Sequence, residues 1–389
     1  MTLNLLEIIL LLAAAQAAFL GILILHKYPA LLPNRILGIM MLLYAIILGH
    51  NLAVELGFFN RYPHWLLLPL GITLMLAPLH FLYAKYLTHP EMPFGKKDWL
   101  HFLPAGIYWF SLLPDLWVSS ADLSARLNIS SENMSPRFLV FNFILLLQAM
   151  LYLGLTFVQI KKFHARLRNM FASVEKLKLT WLQQITLLLL SAWMVFSLEE
   201  VALMFGVHLT HFDLSSALVA LYVFLMGYMA LLKSEIFQQP ALLKPMHILE
   251  CMETAESADT SSRYEKSGLT SERAQALTRT LLDLMRDEEP FTDNELTLAD
   301  LAERLRITPH NLSEILNTQV RQNFYDFINQ YRIEKAKRDL ADPAKSHLKI
   351  LAIAFEAGFN SKTAFNTIFK HTTRMTPSAY RTHSLSTPS

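Results

Sequence analysis

A chain of 389 residues has room for two or three domains, and 53% hydrophobic content with only 17% charged residues is too apolar for a single ordinary soluble protein. The mean hydropathy is +0.31, and the formal net charge of +2 hides an asymmetry, because most charged residues lie in the C-terminal part. One cysteine, Cys251, excludes an intrachain disulfide and an all-cysteine zinc site, and it fits a reducing compartment.

Seven apolar runs come first: Leu3–Leu25, Arg35–Phe58, Trp65–Leu87, Trp99–Val118, Phe138–Ile160, Trp181–Phe205 and Leu214–Leu232. Each is about long enough to cross roughly 30 Å of hydrocarbon, and helix is the form that satisfies its own backbone there. No basic region precedes the first run and more runs follow it, so it does not read as a cleavable signal. The odd connections hold the bases: Lys27 and Arg35, then Lys85, Lys96 and Lys97, then Lys161, Lys162, Arg166, Arg168, Lys176 and Lys178. By the positive-inside rule these face the cytoplasm, which puts the N-terminus outside the inner membrane of a bacterium and the C-terminus within the cell.

Ionisable residues in the spans are costly, and Glu7, His50, Glu55, His80, Glu199 and Glu200 therefore need an account. One reading places them near helix ends or toward the bundle interior, where water or neighbours satisfy them. The sharper reading makes Glu55, Glu199, Glu200, His208 and His211, all toward outer ends, a signal-sensing cluster. Their spacing matches no metal signature, so no metal is expected. Tyr62, Trp65, Trp99, Tyr108, Trp109, Trp117 and Trp181 suit an interfacial belt, and Pro69, Pro78, Pro104 and Pro114 suit kinks.

Hydropathy collapses over 233–270, where Pro240 and Pro245 stop the seventh helix and the polar stretch 253–262 reads as a linker. A helix resumes at Ser271 with Ala274, Leu277, Leu281 and Leu284 on one face. That face suits packing on the segment that follows, or on the same helix of a second subunit. The acids of Asp287-Glu-Glu-Pro290 would repel phosphate.

Within 271–389 two halves each read as helix, tight turn, helix. In the first, Thr297-Leu-Ala-Asp300 forms a capping box, Leu298, Leu301, Ala302 and Leu305 share a face, and Pro309 opens the second helix. That helix turns Leu312, Ile315 and Leu316 inward and presents His310, Asn311, Ser313, Glu314 and Asn317. A longer helix, Asn323 to Ala341, buries Phe327, Ile328, Tyr331, Ala336 and Leu340 and is expected to expose Arg332, Lys335, Lys337 and Arg338. In the second half Gly358 supplies the turn, Ser361 the N-cap, and Phe365, Ile368 and Phe369 the core. Lys362, Thr363, Asn366, Thr367 and Lys370 are left to face a DNA groove. Thr376-Pro377 starts a last short helix. The modest excess of base over acid after Thr297 suits a polyanion without establishing one.

Tyr264 to Arg381 closely resembles the AraC/XylS family of transcriptional regulators. The resemblance rests on Ile353-Ala-Phe-Glu-Ala-Gly-Phe-Asn-Ser-Lys-Thr-Ala-Phe-Asn-Thr-Ile-Phe-Lys370, on Thr376-Pro-Ser-Ala-Tyr-Arg381, and on Leu298-Ala-Asp-Leu-Ala302 with Asn311-Leu-Ser313. It implies two helix-turn-helix units joined by a helix, each inserting its second helix into the major groove of promoter DNA, commonly in a dimer. On that resemblance the base readers fall at His310, Ser313 and Glu314 and at Lys362, Thr363, Asn366 and Thr367. Members often carry glycine where this chain has Arg306, Arg321 and Arg374. These three, with Arg332, are the candidate phosphate contacts.

The expected fold is all-α: a seven-helix transmembrane bundle (1–232), a cytoplasmic linker (233–270) and an AraC-type domain (271–389). The expected function is a one-component sensor that couples a signal to promoter binding. Its partners are double-stranded DNA, the lipid bilayer, an unidentified signal ligand, a second copy in a homodimer and, for an activator, RNA polymerase. The alternative is a transporter or membrane enzyme with a DNA-binding appendage. No nucleophile, metal or phosphate-loop motif is present, so neither enzyme chemistry nor a cofactor is expected.

Overall fold

The computed structural model describes residues 4–28, 30–67, 69–89, 92–127, 136–175, 177–204, 214–232 and 270–386. Every regular element among them is helical, and an antiparallel bridge between Phe171 and Thr297 is isolated. The chain divides into two compact units, 1–161 with 179–240 and 162–178 with 241–389.

The first unit contains α1 (Leu5–Lys27), α2 (Leu32–Glu55), α3 (Leu70–Thr88), α4 (Leu103–Leu112), α5 (Ser120–Leu127), α7 (Thr180–Met204) and α8 (Leu214–Leu232), together with most of α6 (Pro136–Met170). Glu7 closes a capping box at the start of α1: its carboxylate accepts from the Asn4 amide at 2.7 Å and its own amide donates to Asn4 Oδ1 at 2.9 Å. The acid therefore has a helix-capping role. Helices α1 and α2 pack backbone to backbone through two glycines. A Cβ on Gly21 would lie 2.9 Å from the Gly38 carbonyl oxygen, and one on Gly38 would lie 2.6 Å from Leu25 Cγ. Small residues at such a crossing are the usual means of close approach between apolar helices, where dispersion replaces the hydrophobic effect as the driving force. The outward faces are apolar as well, with Phe19, Ile22, Phe143, Leu147 and Leu198 exposed. A helix apolar on all sides is a core or a bilayer helix.

Among the described residues five stretches are long and apolar enough to cross a membrane: Leu5–Lys27, Leu32–Glu55, Pro63–Thr88, Val140–Met170 and Thr180–Glu199; Leu214–Met229 forms a shorter apolar helix. The fourth apolar run departs from the expectation of one continuous helix. It is divided into a 3-10 segment Lys96–Phe102, α4, and a second 3-10 segment Leu113–Trp117. Pro104 and Pro114 sit in the first turns of the last two pieces, where a missing N–H is harmless but continuation from the preceding turn is not.

In the second unit α9 (Ser271–Asp287), α10 (Leu298–Arg304), α11 (Pro309–Ile315), α12 (Phe324–Ala341), α13 (Ile350–Glu356), α14 (Lys362–Thr373) and α15 (Pro377–Ser386) build two adjoining cores. The first gathers Leu281 and Met285 of α9, Leu298, Leu301 and Ala302 of α10, Leu312 and Ile315 of α11, and Phe324, Phe327 and Ile328 of α12. The second gathers Ile333, Ala336 and Leu340 from the later turns of α12 with Ile353, Ala354, Phe359, Phe365 and Phe369. One helix thus serves both cores. The apolar face of α9 packs on the first core, which decides between its two expected partners.

Candidate nucleic-acid interface

Each half of the second unit positions an exposed helix by the same local devices. In the first, the Ile307 amide donates to the Ala302 carbonyl at 3.0 Å across the turn, and Thr308 Oγ1 caps α11 through the Asn311 amide. In the second, the Phe359 amide donates to the Ala354 carbonyl at 3.0 Å, and Ser361 Oγ caps α14 through the Ala364 amide. The residue inside each turn is left-handed, Arg306 at φ 55° and Gly358 at φ 95°. Glycine is required only at the second, where a Cβ would stand 2.3 Å from the Phe291 carbonyl oxygen.

On α14, Lys362, Thr363, Asn366, Thr367 and Lys370 are all exposed, opposite buried Ala364, Phe365 and Phe369. On α11, His310, Asn311, Ser313 and Glu314 are half-buried, and Asn317, in the π-helical turn Leu316–Val320 that continues α11, is exposed. Asn317 Nδ2 donates to Ser313 Oγ at 3.4 Å, while Glu314 Oε2 has no hydrogen-bond partner. One constant offset along the chain pairs His310 with Thr363, Ser313 with Asn366, Glu314 with Thr367 and Asn317 with Lys370. The same offset pairs Arg321 with Arg374, each the left-handed residue just past its exposed helix, at φ 59° and 62°. The resulting surface is two rows of short hydrogen-bonding groups in equivalent places, each row ending in an exposed guanidinium. Such groups suit base edges, and the arginines suit phosphate oxygens.

Arg332 has to be withdrawn as a phosphate contact. It is 0% exposed, and each nitrogen of its guanidinium donates a hydrogen bond. Nε donates to the Phe291 carbonyl at 2.7 Å, Nη2 to the Asp293 carbonyl at 2.7 Å, and Nη1 to Ala172 O and Ser173 Oγ at 3.1 Å each. Burial pushes its pKa down to about 10, while the charges of Asp293 and Glu175 oppose that shift, so it stays cationic at neutral pH. Other bases on α12 are half-engaged: Lys335 and Arg338 reach Glu289, and Lys337 reaches Glu334 at 2.9 Å. Glu288 takes Arg304 at 3.4 Å. The acidic stretch thus lies against bases of its own unit.

The proposed sensing residues are not seen as one cluster. Glu55 is exposed at the end of α2, and Glu199 Oε1 accepts the Leu214 amide at 3.1 Å, at the start of α8. His208, His211 and the side chain of Glu200 lie outside the described residues. What the outer-end argument missed is His80, which is 0% exposed. Its Nδ1 pairs with Tyr222 Oη at 3.2 Å and its Nε2 with Thr186 Oγ1 at 2.9 Å, joining α3, α8 and α7. An ionisable residue in a span was the signal for it. Thr186 and Tyr222 gave none in sequence, because both are ordinary residues of apolar helices. Among the described residues no group of three or more His, Cys, Asp or Glu could hold a metal ion.

Residues 301–383 match a family described as a helix-turn-helix domain. The C-terminal region carries an AraC-type helix-turn-helix domain. Its similar proteins include uncharacterised HTH-type transcriptional regulators of Staphylococcus aureus strains COL and MSSA476, each 36% identical over 87 residues, 22% of this chain and 11% of theirs. The chain thus spans only about a tenth of the length of the curated relatives it matches. A solved structure, the C-terminal domain of the two-component response regulator yesN from Fusobacterium nucleatum subsp. nucleatum, is 32% identical and aligns over 27% of this chain and 98% of its own, with a TM-score of 0.25. The helix-turn-helix domain is a module for double-stranded DNA, and the family match lies in a DNA-binding regulatory domain.

Proposed function

We propose that this protein is a membrane-anchored, sequence-specific transcriptional regulator, with two helix-turn-helix units that read successive major-groove segments of promoter DNA. The observation that carries the reading is the repeated row of polar side chains, half-buried on α11 and exposed on α14, set on the same turn and cap geometry. His310, Asn311, Ser313 and Glu314 read one segment, and Lys362, Thr363, Asn366, Thr367 and Lys370 the next. Arg306, Arg321 and Arg374 hold phosphates.

The apolar helices anchor the chain in the bacterial inner membrane by seven crossings, the fourth of them broken, with the N-terminus outside and the DNA-binding domain in the cytoplasm. Support comes from the five span-length apolar stretches and from the bases in the odd connections. A signal met by the membrane unit changes promoter binding by the head. It does so only through unequal affinity for two states of the protein. A homodimer, with contact to RNA polymerase where it activates, completes the scheme.

The test is selection of DNA from a random pool by the full chain in lipid nanodiscs. Lys362→Ala and Asn366→Ala are then each measured on the selected and on random DNA. Readers of bases lose about 1–3 kcal/mol at particular base pairs and leave random DNA almost unaffected. Equal losses on both would reduce these residues to phosphate contacts, and no selected sequence at all would end the proposal.

A further inference from the structure

The connection between α6 and α7 belongs to the second unit, and its contacts there are built rather than incidental. Ala172 is 1% exposed and sits in the first core. Its amide donates to the Leu296 carbonyl at 3.2 Å, beside the bridge of Phe171 with Thr297. Its carbonyl accepts from Arg332 Nη1 at 3.1 Å and from Asn329 Nδ2 at 3.2 Å. Arg168 Nη2 grips both carboxylate oxygens of Asp326 at 2.7 and 2.8 Å, and Tyr325 Oη donates to Glu175 Oε1 at 3.2 Å. Tyr325, Asp326, Asn329 and Arg332 recur at helical spacing, so one face of α12 is the receptor.

Arg332 also ties the two halves of the head together. Besides the strap it binds the Phe291 and Asp293 carbonyls, its guanidinium lies 5.9 Å from the Phe359 ring centroid, and Gly358 closes against its Nε. Moreover α6 is a single helix, counted with the first unit up to Lys161 and with the second from Lys162.

We propose that 168–175 is a docking strap, a peptide ligand carried in the chain itself, whose seating on α12 fixes the posture of α11 relative to α14. Because α6 leads directly into it, the strap is the input by which the membrane unit governs DNA reading. The inference rests on the DNA-binding reading for its consequence, but seating is measurable without DNA.

Seating is tested in the full chain in nanodiscs with Cys251→Ser and the pair Phe171→Cys and Thr297→Cys. Directly paired antiparallel residues lie at disulfide distance, so mild oxidation should close the bond nearly completely in DNA-free protein. Failure to close overturns the strap whatever the protein binds. Consequence is tested on selected DNA and on the same DNA with one base pair inserted between the two groove segments. The wild type and the oxidised pair should prefer the correct spacing by at least about tenfold, because both readers engage only at matching geometry. Ala172→Trp, which evicts the strap, should bind both within about threefold. Should that variant fail to fold, Arg168→Glu, at an exposed position, should weaken the discrimination, and Asp326→Arg added to it should restore it. Unchanged discrimination in these variants, with the strap amides exchanging freely in deuterium, overturns the proposal. Absence of any selected DNA would instead count against the DNA-binding reading and leave the crosslinking result standing.

Discussion

Replacing Arg374 by glycine separates what its backbone costs from what its charge does. Arg374 sits at φ 62°, ψ 6°, and its amide closes α14 on the Lys370 carbonyl at 2.9 Å. An L-residue held left-handed costs about 1–2 kcal/mol, which glycine does not incur. Glycine gives back about 0.4–1 kcal/mol through the entropy of the unfolded chain. The net expectation for Arg374→Gly is a head about 0.5 kcal/mol more stable, with Arg374→Val less stable than the wild type because a β-branched side chain tolerates this conformation worst. Losing one phosphate contact should meanwhile lower the slope of log K against log salt by about 0.9. Thermal unfolding of the full chain with the near-ultraviolet signal, and DNA titrations between about 50 and 200 mM salt, read the two effects separately. A loss of stability above about 1 kcal/mol would refute the backbone argument. An unchanged salt slope would refute the phosphate assignment. Arg321, at φ 59° and ψ 35° in the equivalent place, should respond in the same way.

Arg332→Ala should destabilise the head by about 3 kcal/mol or more, since buried carbonyls of Phe291, Asp293 and Ala172 lose donors; chemical denaturation reads this, and a change below about 1 kcal/mol would contradict the role assigned to it. Gly358→Ala should be harmful on two counts, the positive φ and the 2.3 Å approach to the Phe291 carbonyl, and should cost more than about 2 kcal/mol, whereas Arg306→Gly at the equivalent turn should be tolerated. A cytoplasm-dependent reporter fused after Ser389 should be active, and activity only from a periplasmic reporter would reverse the proposed orientation.

Local devices were legible in the sequence because they involve neighbours in the chain. The Thr297–Asp300 capping box, the cap at Ser361, and the outward row on α14 all follow from spacing alone. Arg332 was misread for the opposite reason. Beside Lys335 and Arg338 it belongs to a basic helix face by pattern, but the acceptors that bury it come from 291, 293 and 172–173, far away in sequence. The connection at 162–178 was similarly opaque: its bases announced a side of the membrane, and nothing in Ala172 or Val174 announced burial at 1% exposure. In the fourth apolar run composition was legible but continuity was not, because prolines at 104 and 114 start new helical pieces as readily as they kink an old one.

The equivalence of α11 and α14 is geometric and not chemical. Where the later helix presents Lys362, Thr367 and Lys370, the earlier one presents Pro309, Glu314 and Asn317. A carboxylate near the groove is repelled by phosphate wherever it does not meet a base donor such as a cytosine amino group. On the proposed reading both ends of the head read bases, and the glutamate-bearing end adds a penalty for any base that offers its carboxylate no donor. Both flanks of a single head's footprint should therefore depend on sequence, and the flank under Glu314 should be the more exacting.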